Sequence, residues 1–162
     1  MADQRKSAIA TAQTGDLLGV SEWVTITQQM IDSFSRATLD DDPMHTDPVW
    51  AAEKGPFGKT VSYGFLTMSL LTHLMHDAMQ EGPACEPEQT GYFLNFGFDR
   101  LRLVAPVPVD SRVRGEFRLA TRSRDEAGRI RLGVDVVIEI EGAGRPALSA
   151  LWVVVWVPPE QA

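Results

Sequence analysis

Between Thr38 and Asp47 the chain reads TLDDDPMHTD: three adjacent carboxylates, a proline, and a histidine two residues further on. A carboxylate and an imidazole are groups a protein uses to hold a water molecule and move its proton. Asp40 and His45, five residues apart, are the pair able to point at one water. Packed interiors reject three neighbouring acids, and Pro43 forbids an ordinary helix through the segment. The stretch therefore reads as a loop, and loops on rigid elements are where chemistry tends to sit. The same residues also fit a solvated turn in which Asp42 caps whatever follows.

Other clusters carry less. His73, His76 and Asp77 stand at i, i+3 and i+4 of a helical stretch, but a third well-spaced ligand is missing and the pattern is not HExxH, so no metal is expected. The run Gly55 to Thr60, GPFGKT, invites a phosphate-loop reading. That motif needs a glycine where Glu53 stands and a strand before it, and neither is found, so the run is a tight Gly/Pro turn. A lone cysteine, Cys85, permits no internal disulfide and no cysteine-built zinc site; it reads as a small residue in the Pro/Glu-rich loop from Gly82 to Gln89.

The elements that must hold Asp40 and His45 follow from periodicity. Residues 1–16 are polar and aperiodic, a loose arm, and Glu22 to Ile26 is a short strand. Thr27 is an N-cap, and Met30, Ile31, Phe34 and Ala37 recur at helical spacing, so Gln28 to about Thr38 is an amphipathic helix that delivers the chain into the acidic loop. Asp47 before Pro48 starts a second short helix, Pro48 to Lys54. Gly64 to Gln80 is the longest helical candidate, apolar nearly all round and so buried on most sides. Strands then follow: Tyr92 to Asn95, Asp99 to Val104, Arg112 to Ser123, a hairpin turn at Asp125 to Gly128, and Arg129 to Glu141 with Ile130, Leu132, Val134, Val136, Ile138 and Ile140 facing in. Ala147 to Val157 is apolar on both faces and belongs in the centre of a sheet. The pattern is α+β: one long helix with a curved antiparallel sheet wrapped round it.

At 162 residues the chain is one domain by size, with the apolar (44%) and charged (23%) shares of an ordinary globular protein. A net charge of -7 argues against a general nucleic-acid binder, although a local arginine cluster can still grip an anionic ligand. With no apolar leader and no run long enough to span a bilayer, the expected location is the cytoplasm, with no membrane partner.

These residues together resemble a known family. Phe34 to Thr38, Asp40 and the run Pro43-Met44-His45-Thr46-Asp47 are similar to the hydratase motif of MaoC-like dehydratases, the (R)-specific enoyl-CoA hydratases, roughly Gly-Asp-x-Asn-Pro-x-His-x-Asp. Ser62-Tyr63-Gly64 matches the Ala-His-Gly opening of that family's long helix. Asn95-Phe96-Gly97, Arg100-Leu101-Arg102 and Pro106 to Val109 resemble the NodN-like branch, as does the GPFG turn. The resemblance runs from about Ile31 to Val157. Departures are Leu39 for the motif glycine, Asp42 for its asparagine and Tyr63 for its histidine.

The resemblance implies a hotdog fold, an edge-to-edge homodimer and a hydro-lyase of fatty-acid metabolism. The reaction is reversible addition of water to a trans-2-enoyl thioester, giving a (3R)-hydroxyacyl thioester. It implies Asp40 as principal base, His45 as the residue that positions water and shuttles the proton, and the Gly64 N–H, at a helix N-terminus, as donor to the thioester oxygen. No metal or redox cofactor is called for. Tyr63 and Asn95 are candidates for contact with the substrate, a CoA or carrier-protein thioester. Arg100, Arg102, Arg112 and Arg114 are candidates for its phosphates, or equally are ordinary solvated strand residues. Two other readings use the same fold: an acyl-CoA thioesterase, and a subunit that binds an acyl thioester without turning it over, which Leu39 and Tyr63 would favour.

Overall fold

The computed structural model describes residues 11–80 and 91–158. Cys85, its loop and the first ten residues of the expected arm lie outside the described residues. Of the remainder of that arm, Gly15 N–H donates to the Leu119 carbonyl at 2.7 Å, and Arg118 and Arg122 donate to the carbonyls of Gly15 and Ala12, so this stretch is fastened along a strand.

In chain order the strands are β1 (Leu17–Val20), β2 (Val24–Thr25), β3 (Tyr92–Leu103), β4 (Arg112–Arg124), β5 (Ile130–Ile140) and β6 (Leu148–Val157). The helices are α1 (Gln28–Thr38), α2 (Pro43–Thr46), α3 (Pro48–Glu53), α4 (Gly64–Ser69) and α5 (Leu71–Met79). The strands form one six-stranded sheet in the order β1-β4-β5-β6-β3, with β2 also on β4, and the pairings are antiparallel. β6 lies between β5 and β3, and Val153 and Val155 are buried along with Trp152 and Val154. Burial on both faces at a central position is what its unbroken apolar run requires.

One core joins sheet and helices. Leu66, Leu71, Leu74 and Met75 from α4 and α5 pack with Val113, Phe117 and Leu119 of β4, the inward row of β5, and Leu148, Ala150, Trp152 and Val154 of β6. The six inward residues read from the alternation of β5 are all buried. β1 approaches α5 so closely at Gly19 that a Cβ there would collide with the Ala78 carbonyl. This helix-on-curved-antiparallel-sheet arrangement is a hotdog fold.

Four local expectations are corrected. The acidic loop contains a helical turn, α2, which carries His45; Pro43 starts that turn, at a position where its missing N–H costs nothing. The long helix is divided at Leu70, whose N–H turns back to Thr67 at 3.3 Å, and Phe65 on its first half is 65% exposed. β3 is one twelve-residue strand because two register shifts, at Asn95/Gly97 and Phe98/Arg100, absorb the irregularity that suggests two short ones. The early strand expected at Glu22 to Ile26 is reduced to β2, and β1 ahead of it, with a register shift between Leu17 and Gly19, is a strand that periodicity did not mark.

Candidate active site

Helix α1 is the first support. The Thr27 hydroxyl accepts the Met30 N–H at 3.2 Å, and Ile31 in the apolar stripe is fully buried. The helix ends with Leu39 in the left-handed region at φ 60°, its N–H returning to Ser35. That reversal presents Asp40 immediately afterwards. The Asp40 carbonyl accepts two hydroxyl donors, Ser35 Oγ at 2.6 Å and Tyr63 Oη at 2.5 Å. A carbonyl oxygen has two lone pairs, so both are taken and the backbone at Asp40 is pinned. Its side chain remains exposed, with the Asp42 N–H 3.3 Å from Oδ1.

His45 is fixed from three sides. Asp42 caps its helical turn by accepting the Met44 N–H at 2.8 Å, so the capping role for Asp42 and a site at Asp40 hold together. Gln28 Nε2 donates to the His45 carbonyl at 2.8 Å and to Asp32 at 2.8 Å, while Gln28 Oε1 accepts from the buried Thr60 hydroxyl at 2.6 Å. On the ring, Nδ1 lies 2.7 Å from the Val61 carbonyl. A carbonyl only accepts, so Nδ1 carries the hydrogen and the neutral imidazole offers its lone pair at Nε2. Asp47, the last acid of the motif, is a structural cap: its Oδ1 takes the N–H groups of Val49 and Trp50.

Tyr63 joins the two halves. Only 4% exposed, it packs tilted against the His45 ring at 3.8 Å between centroids and 33° between planes, with Phe34 at 5.3 Å, while its hydroxyl reaches the Asp40 carbonyl. Its position comes from the antiparallel pairing of residues 60–63 with 107–109: Ser62 N–H donates to the Val107 carbonyl at 2.7 Å and Val109 N–H to Thr60 at 2.9 Å. Burial raises the Tyr63 phenol above its ordinary pKa; the Ser35 hydroxyl opposes this, and the charges of Asp40, Asp42 and Asp41 reinforce it. The phenol is therefore a protonated donor across the neutral range. Gly64 follows at the start of α4, where Leu103 packs against a Cα that has no room for a side chain unless the leucine moves.

Residues 10–140 match the family model described as "MaoC like domain". This chain belongs to the MaoC-like family. It is 40% identical over 144 residues to nodulation protein N of Rhizobium leguminosarum bv. viciae, covering 89% of this chain and 86% of that one. It is 37% identical over 146 residues to 3-hydroxyacyl-thioester dehydratase Z of Mycobacterium tuberculosis, covering 90% and 92%. Among solved structures, an (R)-hydratase from A. caviae involved in PHA biosynthesis superposes with a TM-score of 0.70 at 20% identity, covering 91% of this chain and 98% of that one. At that identity the likeness shows the fold.

In this MaoC-like protein the other singled-out residues fall elsewhere. Asn95, on β3 at the first register shift, accepts from Trp152 Nε1 at 2.7 Å. Arg100 pairs with Asp135 at 3.5 Å, Arg112 with Glu141 at 3.2 Å and Arg114 with Glu139 at 2.7 Å; Arg112 and Arg114 also cover the Trp23 ring. Arg102 donates to the Leu101 carbonyl and makes no ion pair among the described residues. A hollow of about 350 Å³ lies by Trp23, Arg114, Glu139 and Arg145, away from Asp40 and His45. Asp77 of the His73/His76/Asp77 cluster accepts the Glu22 N–H at 2.6 Å, a tie to the β1–β2 connection, and no grouping of metal-ligating side chains is found among the described residues. Among the described residues no helix is long and apolar enough to cross a membrane.

Sequence reasoning missed Gln28, Ser35, Thr60 and the Val61 carbonyl. Ser35 and Gln28 read as polar positions on an amphipathic helix, and the rejected GKT triplet hid a buried threonine. The one available signal was Ser35 on the side of α1 nearest its buried stripe, a polar residue that had to find a partner.

Proposed function

We propose that this protein is an (R)-specific enoyl-CoA hydratase, or in the reverse direction a 3-hydroxyacyl-thioester dehydratase, with Asp40 and His45 as its catalytic pair. The observation that carries this reading is the fixed tautomer of His45: with Nδ1–H bound to Val61, Nε2 is the acceptor nitrogen, in the segment whose other half presents the Asp40 carboxylate. The name of the mycobacterial relative points to the same chemistry.

Hydration makes three demands. Water must lose a proton as its oxygen bonds to the β-carbon, the α-carbon must gain a proton, and charge on the thioester oxygen must be met by a donor. Asp40 takes a proton from a water that His45 Nε2 orients and hands it to Nε2, and the imidazolium delivers it to the α-carbon, so both side chains end as they began. The Gly64 N–H, in the first turn of α4 where orphan amides concentrate positive charge, faces the thioester oxygen. Asn95 and Arg102 serve the acyl and carrier ends of the substrate, and Arg100 joins them once released from Asp135. Tyr63 bears on the reaction through Asp40 and His45. The chain works as a homodimer, joined at the outer edge of β3, where Leu94 and Phe96 are exposed.

Hydration of crotonyl-CoA, followed as loss of enoyl-thioester absorbance, tests the reading. Asp40→Asn and His45→Ala are each expected to lose at least about a hundredfold in rate. A wild type inert toward short and medium enoyl-CoAs would overturn it, and release of free thiol would point to a thioesterase instead.

A further inference from the structure

Tyr63 makes two contacts that no other side chain combines: its hydroxyl on the Asp40 carbonyl and its ring face on the His45 imidazole. It cannot meet a substrate broadly, being buried, with its single donor already spent. We propose that Tyr63 is the positioning residue of this site, with Ser35 as its co-donor: together they pin the Asp40 backbone, while the Tyr63 ring holds the His45 ring in its orientation.

The argument runs from the turn outward. Leu39 occupies the left-handed region, where a side chain crowds the following carbonyl oxygen. Such a turn persists only where its surroundings hold it. The turn has α1 on one side and the exposed Asp41 on the other, and its deepest ties are the Ser35 and Tyr63 hydroxyls on one carbonyl. Losing the Tyr63 donor leaves Ser35 alone to aim Asp40. A reacting group displaced by about an ångström loses on the order of a hundredfold in rate, and a partial loosening loses less. The ring contact acts on orientation: the two ring centroids lie 3.8 Å apart with 33° between planes, so the phenol ring covers one face of the imidazole while the Val61 carbonyl fixes its Nδ1 edge.

This inference rests on the hydratase reading for its kinetic arm and on nothing but geometry for its spectroscopic arm. Tyr63→Phe keeps the ring and removes the donor; Tyr63→Leu removes both; Ser35→Ala removes the other donor. With crotonyl-CoA, Tyr63→Phe is expected to lower kcat about tenfold, the worth of one well-placed hydrogen bond, with KM within about twofold. Ser35→Ala should behave alike. In NMR spectra, with the three histidines resolved by assignment, the His45 ring protons should carry an upfield ring-current shift that Tyr63→Phe keeps and Tyr63→Leu removes. Tyr63→Phe with wild-type kcat, or with a raised KM and intact kcat, would overturn the positioning role. So would His45 ring-proton shifts that Tyr63→Leu leaves in place. If the wild-type protein hydrates no enoyl-CoA, the functional reading fails alone and the ring-proton shifts still decide the ring contact.

Discussion

From Arg112 to Val157 a side chain's direction is decided by whether its position is odd or even; from Thr27 to Tyr63 it is decided by which neighbour's backbone it can reach. In β4 and β5 the rows Val113, Phe117, Leu119 and Ile130 to Ile140 are buried through strict alternation, and the outward arginines and glutamates pair across the strands. In the site segment the decisive contacts are hydroxyls and amides on carbonyls: Ser35 and Tyr63 on Asp40, Gln28 on His45, and the His45 ring on Val61. The sheet is a redundant structure whose parts repeat. The site is a set of single contacts, each holding one group, so damage to it should register in activity before it registers in stability.

Substitutions can separate the two. Phe117→Ala, at a fully buried position, should cost about 3–5 kcal/mol of unfolding free energy by urea titration, while leaving the rate per folded molecule close to wild type. Equal loss of rate would show that sheet and site are not separable. Gln28→Ala removes one amide that serves the His45 carbonyl, Asp32 and Thr60. It should cost about 1–3 kcal/mol because buried partners are left unmet, and turnover measured well below the unfolding midpoint should fall by about tenfold or more. A stability loss with full activity would count against His45 needing this support.

Alkaline pH probes the same contrast. The Tyr63 phenol has a raised pKa in the folded chain, so the native state keeps its proton more tightly than the unfolded state does. Its contribution is fully present below the ordinary phenol value of 10.0 and is lost as pH rises through the folded value. Unfolding midpoints measured between pH 9 and 11 should fall, and Tyr63→Phe should flatten that fall. An unchanged slope in the variant would place the alkaline sensitivity elsewhere. Smallest of all, Arg114→Ala breaks a half-exposed pair with Glu139 and should shift stability by only a few tenths of a kcal/mol; a shift above about 1 kcal/mol would mean that the outer ladder contributes more than solvent-screened pairs do.

Much of this was legible from residue order. Thr27, Asp42 and Asp47 cap helices as their types require, the β4–β5 hairpin follows from its alternation, and the central place of β6 follows from its two apolar faces. β3 was harder because its alternation is broken at the register shifts, and a bulge is defined by the partner strand, not by the strand that carries it. The break at Leu70 was hidden too: nothing in the local letters stops a helix there.

The sequence by itself determined the local frame of the two candidate residues, His45 in a capped, proline-started turn and Asp40 just ahead of its cap, because cap and turn preferences act over a few neighbouring residues. Only the tertiary structure decided which nitrogen of His45 carries the hydrogen and what pins Asp40. Those depend on Val61 and Tyr63, brought in by pairing with the segment around Val107. Contacts between residues that far apart along the chain form only once the core has placed both ends, so no local pattern records them.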